Sequence, residues 1–335
     1  EISQFFAFLK NGVIRGDSNI ELMNKKNKKK TVLGIILGVV LLVIGALVTI
    51  PVLVMNSLVN MHVDFEEVWT AEEFGIEAEH FFVTTEDGLK ISAYEVPVEN
   101  PKAVIICMSG IHNPSATAFF GHARLFRENQ YATILFDMRA HGESEGDMIC
   151  LGYKEYLDVK AIVKHIEEDP AYQDIPVVVF GVSMGGTTAI NAMGEIPGID
   201  GLISISAFSA WEDVFYELMA YQSPVFLAKI VRPFVPLVTA LKYKVNIWKI
   251  KPVKEIQKLG NRHALIMHTK GDTQVPFTSF ERIMRYAPSH VQTFVREGDM
   301  HFMTENFAEP EKDTEYAATI LGFLARQTGF APKKK

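Results

Sequence analysis

Cysteine is nearly missing from this chain of 335 residues, where Cys107 and Cys150 are its two representatives. Two thiols exclude a disulfide framework and a four-cysteine zinc site. Cys107 sits inside an apolar run and reads as a core residue, whereas Cys150 has no assignment. An excess of positive charge is lacking as well. The formal net charge of −7 argues against nucleic acid as the main partner, because phosphate binding needs a concentrated positive field. Residues 31–55 hold no charged side chain, residues 56–89 hold no Lys or Arg, and no Ala-x-Ala follows the uncharged run.

These gaps sit against a dense basic cluster, Lys25-Lys26-Asn27-Lys28-Lys29-Lys30. Roughly 20 apolar residues cross a bilayer core as a helix, so residues 31–55 are long enough to span it with tilt, and Pro51 is placed to kink or end the helix. A secretory signal peptide has an apolar core of about 7–15 residues and a small-x-small cleavage site; the longer run without that site reads as an uncleaved signal anchor. Residues 1–30 carry seven Lys/Arg against three Asp/Glu, and nine acidic residues lie between positions 64 and 87. The positive-inside rule then expects a single-pass plasma-membrane protein with a cytoplasmic amino terminus and everything after residue 56 extracellular. Met23-Asn24-Lys25 reads like a natural start, so residues 1–22 are either a cytoplasmic extension or a non-native leader and carry no functional weight. The expected organisation is a basic tail (1–30), a span (31–55), an acidic linker (56–79), a large folded domain (80–328) and a short basic tail (329–335).

Within the large domain, the apolar run Val177-Val178-Val179-Phe180 leads straight into Gly181-Val182-Ser183-Met184-Gly185, and a helix-compatible segment follows. Strand, tight turn and helix in that order make a nucleophile elbow. The reversal forces its central residue into a strained conformation with the side chain projecting outward. Glycines on either side leave room for that side chain and for the neighbouring backbone. A hydroxyl is thereby held above a helix N-terminus, whose N–H groups can steady negative charge.

The surrounding pattern alternates strand and helix. Residues 81–84 and 89–96 flank Asp87-Gly88 as a β-hairpin. Buried-type strands are expected at 103–108, 132–136, 202–205 and 264–267, with helices at about 116–127 and 153–168. This alternation predicts an α/β fold with a mostly parallel sheet and helices on both faces. At this point the chain resembles the α/β-hydrolase superfamily over roughly residues 80–328. Three stretches carry the resemblance: the elbow, Asp137-Met138-Arg139-Ala140-His141-Gly142-Glu143-Ser144, and His268-Thr269-Lys270-Gly271-Asp272. The chain departs from the family with Ala140 where Gly is usual, and with Ser109-Gly110 where many members have His-Gly.

A serine hydroxyl needs a base to take its proton and an acid to orient that base. The resemblance implies the chain order nucleophile, acid, base, which assigns Ser183, Asp272 and His301. Asp272 and His301 each follow an apolar run, at the strand-end edge where sites in open α/β sheets form. Asp299 is the competing acid, but it lies two residues from His301 and is poorly placed to reach the far ring nitrogen. Among the other histidines, His141 belongs to a loop that the resemblance marks as structural, His112 borders the oxyanion loop, His165 falls within a helical pattern, and His268 is a strand-end residue near the expected acid. The resemblance further implies an oxyanion hole made by the backbone N–H groups of Met184 and Ile111.

Nearly sixty residues separate the strands at 202–205 and 264–267, too many for a plain crossover. Aromatic and aliphatic residues crowd this insertion, and Pro224, Pro233 and Pro236 interrupt it. It is expected to form a small helical cap over about 207–258, with Trp211, Phe215 and Met219 as candidate substrate-binding residues. The expected function is a membrane-anchored serine hydrolase acting on a small-molecule or lipid-like acyl ester, with no metal or cofactor. A peptidase, thioesterase or acyltransferase shares that chemistry, and a non-catalytic binding module is the contrasting class. Oligomeric state is not encoded in any feature above.

Overall fold

A computed structural model describes residues 2–244 and 247–327, with side chains described for 25–242, 244 and 247–326. The expected tail at 329–335 lies outside the described residues. The chain forms two compact units, Glu1–Ile50 and Pro51–Lys335.

The first unit is helical. It belongs to helix α1 (Ile2–Val59), which contains Pro51. The stretch Lys25–Val59 is long and apolar enough to cross a membrane, with a mean hydropathy of 3.0 over its most apolar window and none of that window buried.

The second unit is built on one eight-stranded sheet. Its strands are β1 (Glu79–Thr84), β2 (Lys90–Val96), β3 (Val104–Met108), β4 (Ala132–Phe136), β5 (Val177–Val182), β6 (Gly201–Ile205), β7 (His263–Thr269) and β8 (Gln292–Arg296). Their spatial order is β1-β2-β4-β3-β5-β6-β7-β8. β1 and β2 form the expected antiparallel hairpin, β2 pairs antiparallel with β4, and every later pairing is parallel. Four inner strands, β3 to β6, are buried along their whole length. That burial is why they read as unbroken apolar runs rather than alternating ones.

Period-2 geometry divides each strand between the two faces. Ile105, Cys107, Val178, Phe180, Val182, Ile203 and Ile205 share one core with Phe119, Phe126, Tyr316 and Phe323. The last four belong to the flanking helices α2 (Phe120–Glu128, with a 3₁₀ turn at Ala116–Phe119 before it) and α10 (Thr314–Gln327). Cys107 is a fully buried core residue on this face. Helices α3 (Tyr156–Glu168) and α4 (Met184–Glu195) pack together elsewhere on the sheet.

The insertion after β6 forms α5 (Trp211–Gln222), α6 (Val225–Val231), α7 (Phe234–Tyr243) and the short α8 (Pro252–Glu255), and α9 (Thr278–Tyr286) follows β7. The stretch 56–79 is acidic on its outside yet packed inside: Val59, Val63, Ala71 and Ile76 are buried. Its apolar residues supply core contacts that an unattached linker would leave in water.

Candidate active site

β5 ends at Val182 and α4 begins at Met184, so Ser183 alone makes the reversal. Its backbone sits at φ 56° and ψ −119°, a region that side chains with a Cβ avoid. Surrounding contacts enforce the strain. The Ser183 N–H donates to the Ile205 carbonyl at 2.8 Å, and its own carbonyl accepts from Thr187 N–H at 3.0 Å. A Cβ on Gly181 would fall 2.0 Å from the Gly185 carbonyl oxygen, and one on Gly185 would fall 2.3 Å from that of Ser109. The two glycines are therefore required by the close approach of the helix start to the ends of β5 and β3.

Asp272 lies in the turn after β7 and His301 in the loop after β8. One carboxylate oxygen of Asp272, Oδ2, is 2.7 Å from His301 Nδ1. The other, Oδ1, accepts from the N–H groups of Gln274 at 2.9 Å and Val275 at 3.0 Å. Burial raises the Asp272 carboxyl, but the bond and charge of His301 together with the two N–H donors outweigh it and hold the group below its ordinary value. A carboxylate bonded in this way stays ionised while oriented.

Flanking residues hold both loops. His268 Nε2 donates to the Val275 carbonyl at 2.8 Å, and burial keeps this histidine less basic than usual. It stands 3.7 Å from Asp272 Oδ2, behind the turn that carries this carboxylate. Ser206 Oγ donates to the His301 carbonyl at 2.6 Å, and Thr269 Oγ1 donates to the Met300 carbonyl at 2.9 Å. Gly271 N–H donates to the Gly298 carbonyl at 2.7 Å. Sequence reading passed over Ser206 and Thr269, whose visible signal is that each follows or ends a strand on the Ser183 edge.

Ser183 and His301 open on the same cavity of about 290 Å³, whose walls include Gly110, Ile111, Asn113, Gln274, Met300, Phe302, Thr304 and Glu305. Both side chains are largely buried, at 8% and 9% exposure. Among the described residues no hydrogen bond joins Ser183 Oγ to His301. Such bonds commonly tighten only when substrate is bound.

Met184 is the first residue of α4, so its N–H has no acceptor within the helix, and Ile111 lines the cavity. Neither N–H is engaged by another group among the described residues. Trp211, Phe215 and Met219 are not among the cavity walls. Trp211 and Phe215 are buried in an edge-on aromatic pack with Phe208, and the backbone N–H of Trp211 donates to Tyr153 Oη at 3.1 Å. Their bulk is used to seat α5, and Phe302 and Met300 supply the apolar lining instead.

The remaining candidates are set apart. No ion pair joins Asp299 to His301 among the described residues. His165 stacks on Phe81 at 4.4 Å. His141 is buried and held near pKa 4 by desolvation. Among the described residues no three His, Cys, Asp or Glu side chains converge to hold a metal ion.

An eight-stranded sheet in this order, carrying a strained serine between strand and helix, defines an α/β hydrolase. A model of the serine aminopeptidase, S33 family matches residues 99–273, just over half of the chain. The chain belongs to that family of hydrolases. It is 24% identical over 249 residues to protein YqkD of Bacillus subtilis, covering 73% of this chain and 78% of YqkD. It is 30% identical to human monoglyceride lipase over 115 residues, covering 34% of this chain and 37% of the lipase. Among solved structures, esterase Pf2001 of Pyrococcus furiosus superposes with a TM-score of 0.62 at 24% identity, over 80% of this chain and 99% of the esterase.

Proposed function

We propose that this protein is a membrane-anchored serine hydrolase that cleaves carboxylic acyl esters through an acyl-enzyme intermediate. The observation that carries this reading is the 2.7 Å contact between Asp272 Oδ2 and His301 Nδ1, beside a strained serine on the wall of the same cavity.

Ser183 Oγ attacks the ester carbonyl while His301 Nε2 takes its proton and passes it to the departing alcohol. Water then attacks the acyl-enzyme, again through His301, and the carboxylic acid leaves. Asp272 keeps Nδ1 protonated, so that Nε2 is the basic nitrogen. The N–H groups of Met184 and Ile111 receive the carbonyl oxygen as it becomes negative; losing one such donor typically costs about 10²–10³-fold in kcat.

The cavity volume lies near the lower end of the usual ligand range of about 300–1,000 Å³, which fits a short acyl group better than a long one. The Lys-rich flank and apolar run of α1 support anchoring with the amino terminus inside. A second reading follows from the family description: release of an amino-terminal residue from a peptide, with Glu305 on the cavity wall facing the substrate amine.

The test is turnover of p-nitrophenyl acetate, butyrate, octanoate and palmitate beside aminoacyl p-nitroanilides, by the full chain in detergent. The proposal expects fastest turnover at butyrate and none of the anilides. Preference for the anilides would select the peptidase reading, and turnover of neither by wild type would defeat both.

A further inference from the structure

His112 has no part in the chemistry described above, yet it follows Ile111 directly and is held from two sides. Its backbone is in the left-handed region, at φ 67°, where a residue with a Cβ persists only if its surroundings impose it. Its ring Nε2 lies 2.7 Å from the carbonyl oxygen of Leu58. A carbonyl only accepts, so this nitrogen carries the proton and donates it. The His112 backbone N–H reaches His141 Nε2 at 3.4 Å. The other ring nitrogen of His141, Nδ1, is 2.9 Å from the Arg139 carbonyl, so it must be the protonated one. In a neutral ring that leaves Nε2 free to accept.

Leu58 belongs to the last turn of α1, where carbonyls have no acceptor role left within the helix. That turn, itself part of the second unit, is fixed to the rest of it at several points. Met55 and Val59 are fully buried. Lys242 Nζ donates to Asn56 Oδ1 at 2.5 Å, and Ile149 N–H donates to the Val59 carbonyl at 2.8 Å. Just beyond, the Val63 N–H and carbonyl pair with Ala140 and Gly142, each at 2.9 Å.

We infer that His112 is a positioning residue, and that residues 55–63 complete the active site by fixing, through the Leu58 carbonyl and His112, the angle at which Ile111 presents its N–H to the cavity. The segment that joins the membrane span to the hydrolase unit is thus part of the oxyanion loop's support. This role rests on the reading of Ser183 as the nucleophile and Ile111 as an oxyanion donor.

The test compares wild type, His112→Leu, His112→Ala and His112→Gln in the full chain with an ester substrate and with an alkyl trifluoromethyl ketone. The ketone's adduct with Ser183 places a negative oxygen where the transition state has one. Leu and Ala remove the donor to Leu58, and Gln keeps an N–H on a side chain of similar reach. Displacing one oxyanion donor rather than deleting it should lower kcat about 10–100-fold for Leu and Ala, with KM within about twofold. Ketone affinity should fall in the same ratio, and Gln should recover most of both. If one of the apolar variants does not fold, the other supplies the comparison. Leu or Ala variants with wild-type kcat, or a Gln variant as slow as they are, would overturn the inference. Wild type inert to both ester and ketone would instead refute the hydrolase reading on which it rests.

Discussion

Asp272 divides its carboxylate between two tasks, holding His301 Nδ1 at 2.7 Å with Oδ2 and its own turn with Oδ1. The carboxylate is thereby held by its own turn while it bonds the imidazole, as the proposed acid of a triad requires. An amide at this position could keep the turn but not the direction of the bond to the ring. With an –NH₂ facing it, Nδ1 must accept, and the proton moves to Nε2, where it blocks removal of the Ser183 proton. Asp272→Asn should therefore lower kcat by about 10⁴-fold while KM stays within a few-fold. Steady-state kinetics on butyrate esters checks this; an unimpaired variant would remove Asp272 from the mechanism.

Ser183 stores strain that glycine would not. A residue with a Cβ at φ 56° costs on the order of 1–3 kcal/mol, whereas glycine at that position costs about 0.5–1 kcal/mol in unfolded-chain freedom. Ser183→Gly should be inactive and more stable by about 1 kcal/mol, raising the melting midpoint by about 2–4 °C. Calorimetry decides the point: a lower midpoint would mean that the elbow is not strained.

Asp137 sets a pH dependence of stability. Its Oδ1 accepts the Ala116 N–H at 2.8 Å, but burial dominates and lifts the carboxyl to about 7. The folded protein then holds a proton that the unfolded chain releases near its ordinary value of 3.8. Stability from this group must fall as pH rises from 3.8 to about 7 and level off above that. Asp137→Asn retains an acceptor oxygen and removes the titration. Its stability relative to wild type should grow between pH 4 and about 7; parallel denaturation profiles across that range would contradict the assignment.

The proposed sidedness rests on the basic cluster before the apolar run. Protease added to intact cells should digest the chain beyond residue 56 and leave an amino-terminal tag protected. Protection of the hydrolase unit, with loss of the tag, would reverse the orientation.

Much of this architecture could be read from the chain because the inner strands are buried on both faces. Val177-Val178-Val179-Phe180 and the runs at 104–108 and 132–136 announce themselves as parallel strands whatever packs on them, and the glycines at 181 and 185 mark a contact that no larger residue tolerates. Asp272 and His301 could be singled out because each comes a few residues after the end of a strand, β7 for the first and the half-exposed edge strand β8 for the second. Less local features stayed hidden. Ser206 and Thr269 act through hydroxyls on carbonyls more than 30 positions away or across a loop, and a serine that bonds main chain looks like any serine. Trp211 and Phe215 have the composition of a substrate wall, but composition does not say which side of a helix faces the cavity. The acidic surface of residues 56–79 likewise concealed Val59, Val63, Ala71 and Ile76, since charge dominates the average while four buried side chains decide the packing.

Active-site labelling tests the central claim most directly. The full chain, treated with a fluorophosphonate and digested, should yield a single phosphonylated peptide modified at Ser183. Both Ser183→Ala and His301→Ala should abolish that adduct. An unlabelled wild type, or an adduct carried by any other residue, would contradict the account.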